Sequence, residues 1–130
     1  MTQTAYRAGL SDDAAAELEE AISYIERDSP QNAAGVTHEI LKAVARLRRF
    51  PRAGAVDPDA PPMHRDVEAR RVAASGFVIR YIFPFKRAGR DTVYVVSIRR
   101  ASRPPLDDMD FMRRLVQEVA GVYAPSAISG

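Results

Sequence analysis

The sequence contains no cysteine, which rules out a disulfide framework and any thiolate metal site. Histidine occurs only twice, as His38 and His64, too few for a transition-metal centre built on imidazoles. His38-Glu39 resembles the opening of a zinc-protease helix motif, but Lys42 stands where the second histidine would be needed. No metal and no cofactor is therefore expected. There is no apolar run of about 18 residues, the length of a membrane span. A charged-then-apolar leader is also missing, so a cytoplasmic protein is expected. Glycine-rich phosphate loops, nucleophile elbows and internal repeats are absent too. Lysine is scarce: seventeen of the nineteen Lys and Arg residues are Arg.

What remains is an ordinary globular composition, 46% hydrophobic over 130 residues, enough for one domain with one core. That domain is placed at residues 1–123, with 124–130 as a disordered tail. The net charge of +2 conceals segregation. Residues 1–62 sum to −3, residues 63–103 to +7 and residues 104–130 to −2. A basic block of this kind points to an anionic partner. Arginine grips phosphate and carboxylate in bidentate fashion, although a GC-rich genome would enrich it as well.

Val67–Arg103 reads as three strands. Phe77–Phe83 and Thr92–Ile98 are dense in β-branched and aromatic residues. The polar link Lys86–Asp91 suits a hairpin of moderate length, and a weaker strand, Val67–Ala74, precedes Ser75-Gly76. In the central strand Phe77, Ile79, Tyr81, Phe83 and Phe85 share one face, expected to meet the helices. Arg80 shares the other, with Arg99 or Arg100 nearby. Upstream, Thr4–Leu10 suits a short strand weakened by Gly9. Ser11 caps an amphipathic helix with Leu18, Ala21, Ile22 and Ile25 inside and Glu17, Glu19 and Glu20 outside. Ser29-Pro30 opens a second helix that runs to Phe50 and buries Ile40, Leu41, Val44 and Leu47. Pro51–Pro62 reads as a loop. Asp107, Asp108 and Asp110 open a last helix, 107–120, with Phe111, Met112, Leu115, Val119 and Tyr123 as its stripe and Gly121 as terminator. That helix either packs within the domain, mediates self-association as a homodimer, or fills a groove where a partner helix would dock.

The order of these segments resembles the RelE/ParE toxin superfamily, most closely its ParE, or plasmid stabilisation, branch. The resemblance is carried by Leu10-Ser11, Ala16–Ile25, Ser29–Ala34, Leu47–Gly54, Arg70, Phe77–Tyr81 and Ile98–Arg103. It spans residues 4–103, and the final helix lies beyond it. It implies an α+β fold in which an antiparallel helical hairpin packs on a small antiparallel β-sheet, with a C-terminal helix added here. It further implies a bacterial type II toxin neutralised by a cognate antitoxin. ParE-like members are associated with inhibition of DNA gyrase, whereas RelE-like relatives are ribosome-dependent mRNA endoribonucleases.

The residues favour the binding alternative. Arg70, Arg71, Arg80, Arg99, Arg100 and Arg103 supply positive charge, but a guanidinium stays protonated and is no general base. Arg100 stands where many family members carry histidine, and Val78 where ribonuclease-like members often carry arginine. A nuclease reading would rest on Arg70, Arg80 and Arg100 with His64 as base, or on Glu68 or Tyr81. No catalytic residue is assigned. The six arginines are expected to bind an acidic antitoxin segment or target surface, and direct nucleic-acid binding stays open. A non-toxic interaction module of the same fold is the third alternative.

Overall fold

The computed structural model describes residues 5–123, with side chains through residue 116. The elements are β1 (Arg7–Leu10), α1 (Asp12–Asp28), α2 (Pro30–Arg49), β2 (Ala55–Val56), β3 (Glu68–Ala74), β4 (Phe77–Arg87), β5 (Arg90–Arg100) and α3 (Asp108–Tyr123). All five strands form one sheet in the order β1-β5-β4-β3-β2. The expected meander is β3-β4-β5, and β2 adds antiparallel to β3. β1 instead runs parallel to β5, so the sheet is mixed rather than wholly antiparallel. No hairpin joins these two strands, so nothing local dictates an antiparallel pairing. The fold is α+β, as expected.

Both helices of the hairpin start where their caps predict. Ser11 Oγ accepts from the Ala14 amide at 2.9 Å and donates to the Val96 carbonyl at 3.0 Å, tying α1 to β5. Ser29 Oγ accepts from the Asn32 amide, and Pro30 occupies the first turn of α2. The hairpin covers one sheet face, with Leu18, Ile40, Val44 and Leu47 against Phe77, Ile79, Tyr81, Phe83, Val93 and Val95. Leu41 was expected inside but is exposed. Ile40, Val44 and Leu47 already complete the stripe at helical spacing, and Leu41 lies about a quarter-turn outside it.

Three local features depart from the sequence reading. The β4–β5 link is only a two-residue turn: Ala88 and Gly89 both have positive φ, as do Ser75 and Gly76 before β4. Turns of that hand match strand twist, so the strands run further than expected. The loop after α2 contains the short strand β2. In β4 the register slips between Ile82 and Phe85, across the cis Phe83-Pro84 bond. One extra residue inverts the alternation. Phe85 therefore leaves the helix-facing side and stacks on Tyr94 at 4.6 Å.

The last helix packs within the domain, over the second sheet face. Phe111, Leu115 and Leu106 meet Ala69, Ile82, Tyr94 and Val96. Burial of each large side chain there contributes about 1.5–3 kcal/mol. Asp107 caps the helix, its Oδ1 accepting from the Asp110 amide at 2.8 Å. Met112, assigned to the stripe, is partly exposed. The helix runs through Gly121 to Tyr123 rather than ending there. The side chains of Val119 and Tyr123, and the segment 124–130, lie outside the described residues. No helix among those described is long and apolar enough to cross a membrane.

Candidate binding groove and its arginines

The six arginines do not form one cluster. Register puts Arg70 opposite Tyr81 and Arg71 opposite Arg80, so neighbours in β3 face opposite sides. Arg70 is occupied: it pairs with Glu68 at 2.6 Å and donates to the Gly54 carbonyl at 2.7 Å. Arg71 lies 3.6 Å from Asp59. Arg80 is buried and paired with an equally buried Asp57 at 3.3 Å. These three serve the sheet and the loop that crosses it.

Arg99, Arg100 and Arg103 do come together. With Glu20, Tyr24 and Phe77 they line a groove of about 370 Å³ between α1 and the end of β5. Arg99 is mostly buried and lies 3.8 Å from Glu17. Burial, followed by the charge of Arg103, lowers its pKa below the usual arginine value. Arg100 lies over the rings of Tyr24, at 5.7 Å, and Phe77, at 5.4 Å. Such stacking holds a guanidinium in place without neutralising it. Neither Arg100 nor Arg103 has a carboxylate within ion-pair distance among the described residues.

The candidate bases are placed elsewhere. His64 is exposed on a loop, 3.5 Å from Asp66. Glu68 is held between Arg70 and Arg52, whose hydrogen bonds lower its pKa. Tyr81 is fully buried; its hydroxyl donates to the Pro51 carbonyl at 2.7 Å and accepts from the Gly54 amide at 3.0 Å. Burial raises its pKa. A Cβ at Gly54 would lie 2.6 Å from that hydroxyl and 2.7 Å from the Arg71 carbonyl, so the latch needs glycine there.

Four residues of this region escaped the sequence reading. Glu17, assigned to the outer face of α1, turns inward: it accepts from the Ile98 amide at 3.1 Å and from both terminal nitrogens of Arg114 at 2.9 and 3.1 Å. Arg114 also donates to the Val96 carbonyl at 2.9 Å, linking α3 to β5 and α1. No local pattern announces a pair so far apart in the chain. Glu20 and Tyr24 share one face of α1 at a four-residue spacing, which was a legible signal, yet only the fold brings Arg100 to them.

No curated protein matches the chain. A family model described as the ParE toxin of the type II toxin–antitoxin system parDE matches residues 9–105, from β1 to the approach of α3. That span takes in the helical hairpin, the arginine groove and the sheet apart from the first two residues of β1, and the chain belongs to the ParE toxin family of type II toxin–antitoxin systems.

Proposed function

We propose that the chain is a toxin that acts by binding, with the Arg99–Arg103 groove as its contact surface. The observation that carries this reading is the location of unneutralised charge. Of the six arginines singled out in the sequence, Arg70, Arg71, Arg80 and Arg99 have a carboxylate within ion-pair distance, whereas Arg100 and Arg103, gathered in one groove, have none among the described residues. They stand over an apolar floor that includes Phe77 and Ile98, a combination suited to an acidic protein segment with an apolar anchor. DNA gyrase is the target that membership of this branch suggests, and an acidic antitoxin segment would neutralise the toxin by filling the same groove. Induced expression should arrest growth with loss of supercoiling activity, and Arg100→Ala with Arg103→Ala should relieve both. Normal supercoiling during arrest would reject gyrase as the target.

One observation favours a second reading. Glu20 and Tyr24 flank the arginines in the groove. In an endoribonuclease Glu20 would take the proton of a ribose 2′-hydroxyl, which attacks the adjacent phosphorus. Tyr24 would protonate the leaving 5′-oxygen, and Arg100 and Arg103 would hold the phosphate. The simpler account is that Glu20 belongs to the acidic outer face of α1. Cleavage of mRNA in a translating extract, abolished by Glu20→Gln, would establish the catalytic reading and displace the binding one.

A further inference from the structure

A second basic surface lies at the far end of the helical layer, outside the basic block. Arg46, Arg48, Arg49 and Arg52 gather around the C-terminal end of α2, and no Asp or Glu occurs between Ile40 and Val56. With Tyr6, Phe50 and Pro51, three of these arginines line a depression of about 490 Å³. Two of the four have structural duties. Arg48 Nε donates to the Tyr6 carbonyl at 3.1 Å, while the Tyr6 amide donates to the Arg48 carbonyl at 2.7 Å. Arg52 pairs with Glu68 and lies over the Phe83 ring. Arg46 and Arg49 are exposed and make no ion pair among the described residues.

A helix C-terminus favours cations, which accounts for arginine here. It does not account for the aromatic rings beside them. Phe50 is 49% exposed and Tyr6 39% exposed. Tyr6 is held edge-on against Phe83, with ring centroids 4.8 Å apart. An acidic peptide would satisfy the guanidinium groups but leave both rings without a matching partner. A duplex presents phosphates but hides the faces of its bases. A single strand offers both, phosphates to Arg46 and Arg49 and an unstacked base to Phe50 or Tyr6.

We infer that this surface binds single-stranded nucleic acid. The site is separate from the Arg99–Arg103 groove. Arg100 pairs with Phe77 at the start of β4, and Tyr6 packs on Phe83 six residues along it. At about 3.3 Å per residue the two sites are roughly 20 Å apart. The inference therefore does not depend on what the groove binds.

The test is a fluorescence anisotropy titration of the full chain with labelled oligo-dT and oligo-U of roughly twelve nucleotides. A polyglutamate peptide and a DNA duplex of similar length serve as comparison probes. The single strands should bind at least about tenfold tighter than polyglutamate, and more tightly than the duplex. A preference for oligo-dT or oligo-U then assigns the strand to DNA or RNA. Phe50→Ala should weaken binding about fivefold or more with the salt dependence unchanged. The pair Arg46→Gln and Arg49→Gln should reduce the log–log salt slope by roughly 1.4, about 0.7 for each phosphate released. All three side chains are exposed, so circular dichroism of the variants should match that of the parent; Arg46→Gln alone, with half the slope change, is the reading should the pair fold less well. Absence of binding, equal affinity for polyglutamate, or binding indifferent to these substitutions would overturn the inference.

Discussion

Tyr81 shows how much one side chain can decide. Its place in the apolar face of β4 follows from alternation, but the partners of its hydroxyl do not. Those are Pro51 and Gly54, about thirty residues upstream. The buried hydroxyl anchors the loop between α2 and β2, and for that reason it is unsuited to take up a proton. Tyr81→Phe leaves a buried amide and carbonyl without their partner and should cost about 1–3 kcal/mol, measured by chemical denaturation. The same residue sets an alkaline limit. Its folded pKa is raised above the ordinary 10.0, so its contribution is fully present below pH 10.0 and is lost as pH rises through the folded value. Thermal melts of the parent should show that loss, and melts of Tyr81→Phe should lack it.

At the level of elements, caps and periodicity located every helix start and every strand of the meander. Ser11, Ser29 and Asp107 cap through hydrogen bonds to amides three residues on, and Pro30 acts through its fixed φ, so their part in starting a helix is local. The larger errors fall where a distant element intervenes. Phe85 changed face because β4 slips in register against β5, and β1 took its direction from the edge it found. The docking of α3 is the largest such case. Its stripe was visible, but the face it would cover was not. Arg114 and Glu17 fasten it from opposite ends of the chain, both largely buried. Replacing either alone, as Arg114→Met or Glu17→Gln, should cost up to about 3 kcal/mol, because the remaining buried charge keeps only a longer contact, Glu17 with Arg99 at 3.8 Å or Arg114 with Asp13 at 3.6 Å, and the double variant should cost less than the sum. Denaturation of the full cycle checks this. Deleting residues 104–130 should uncover Ile82, Tyr94 and Val96, seen as binding of a hydrophobic dye and a lower melting temperature.

For the whole molecule, charge segregation in the sequence drew attention to Val67–Arg103, but much of that charge is internally matched. Arg100 and Arg103 at the groove end, like the exposed Arg90 at the start of β5, have no carboxylate within ion-pair distance among the described residues. Association with an acidic antitoxin peptide should weaken with added salt, and Arg100→Ala with Arg103→Ala should flatten that dependence, as followed by titration at several ionic strengths. Arg70→Ala should leave the salt dependence unchanged while lowering stability, because its charge is already spent on Glu68 and Gly54. What the sequence by itself determined was the succession of the helices and of the meander strands, most of the faces they bury, and the family of the chain. Those rest on spacing, capping and turn chemistry, which act over a few residues. Which arginines are free, which carboxylates oppose them and where α3 lies were decided only by the tertiary structure. An ion pair or a docked face depends on atoms that the chain brings together from some 80 to 100 positions apart, as Glu17 meets Ile98 and Arg114.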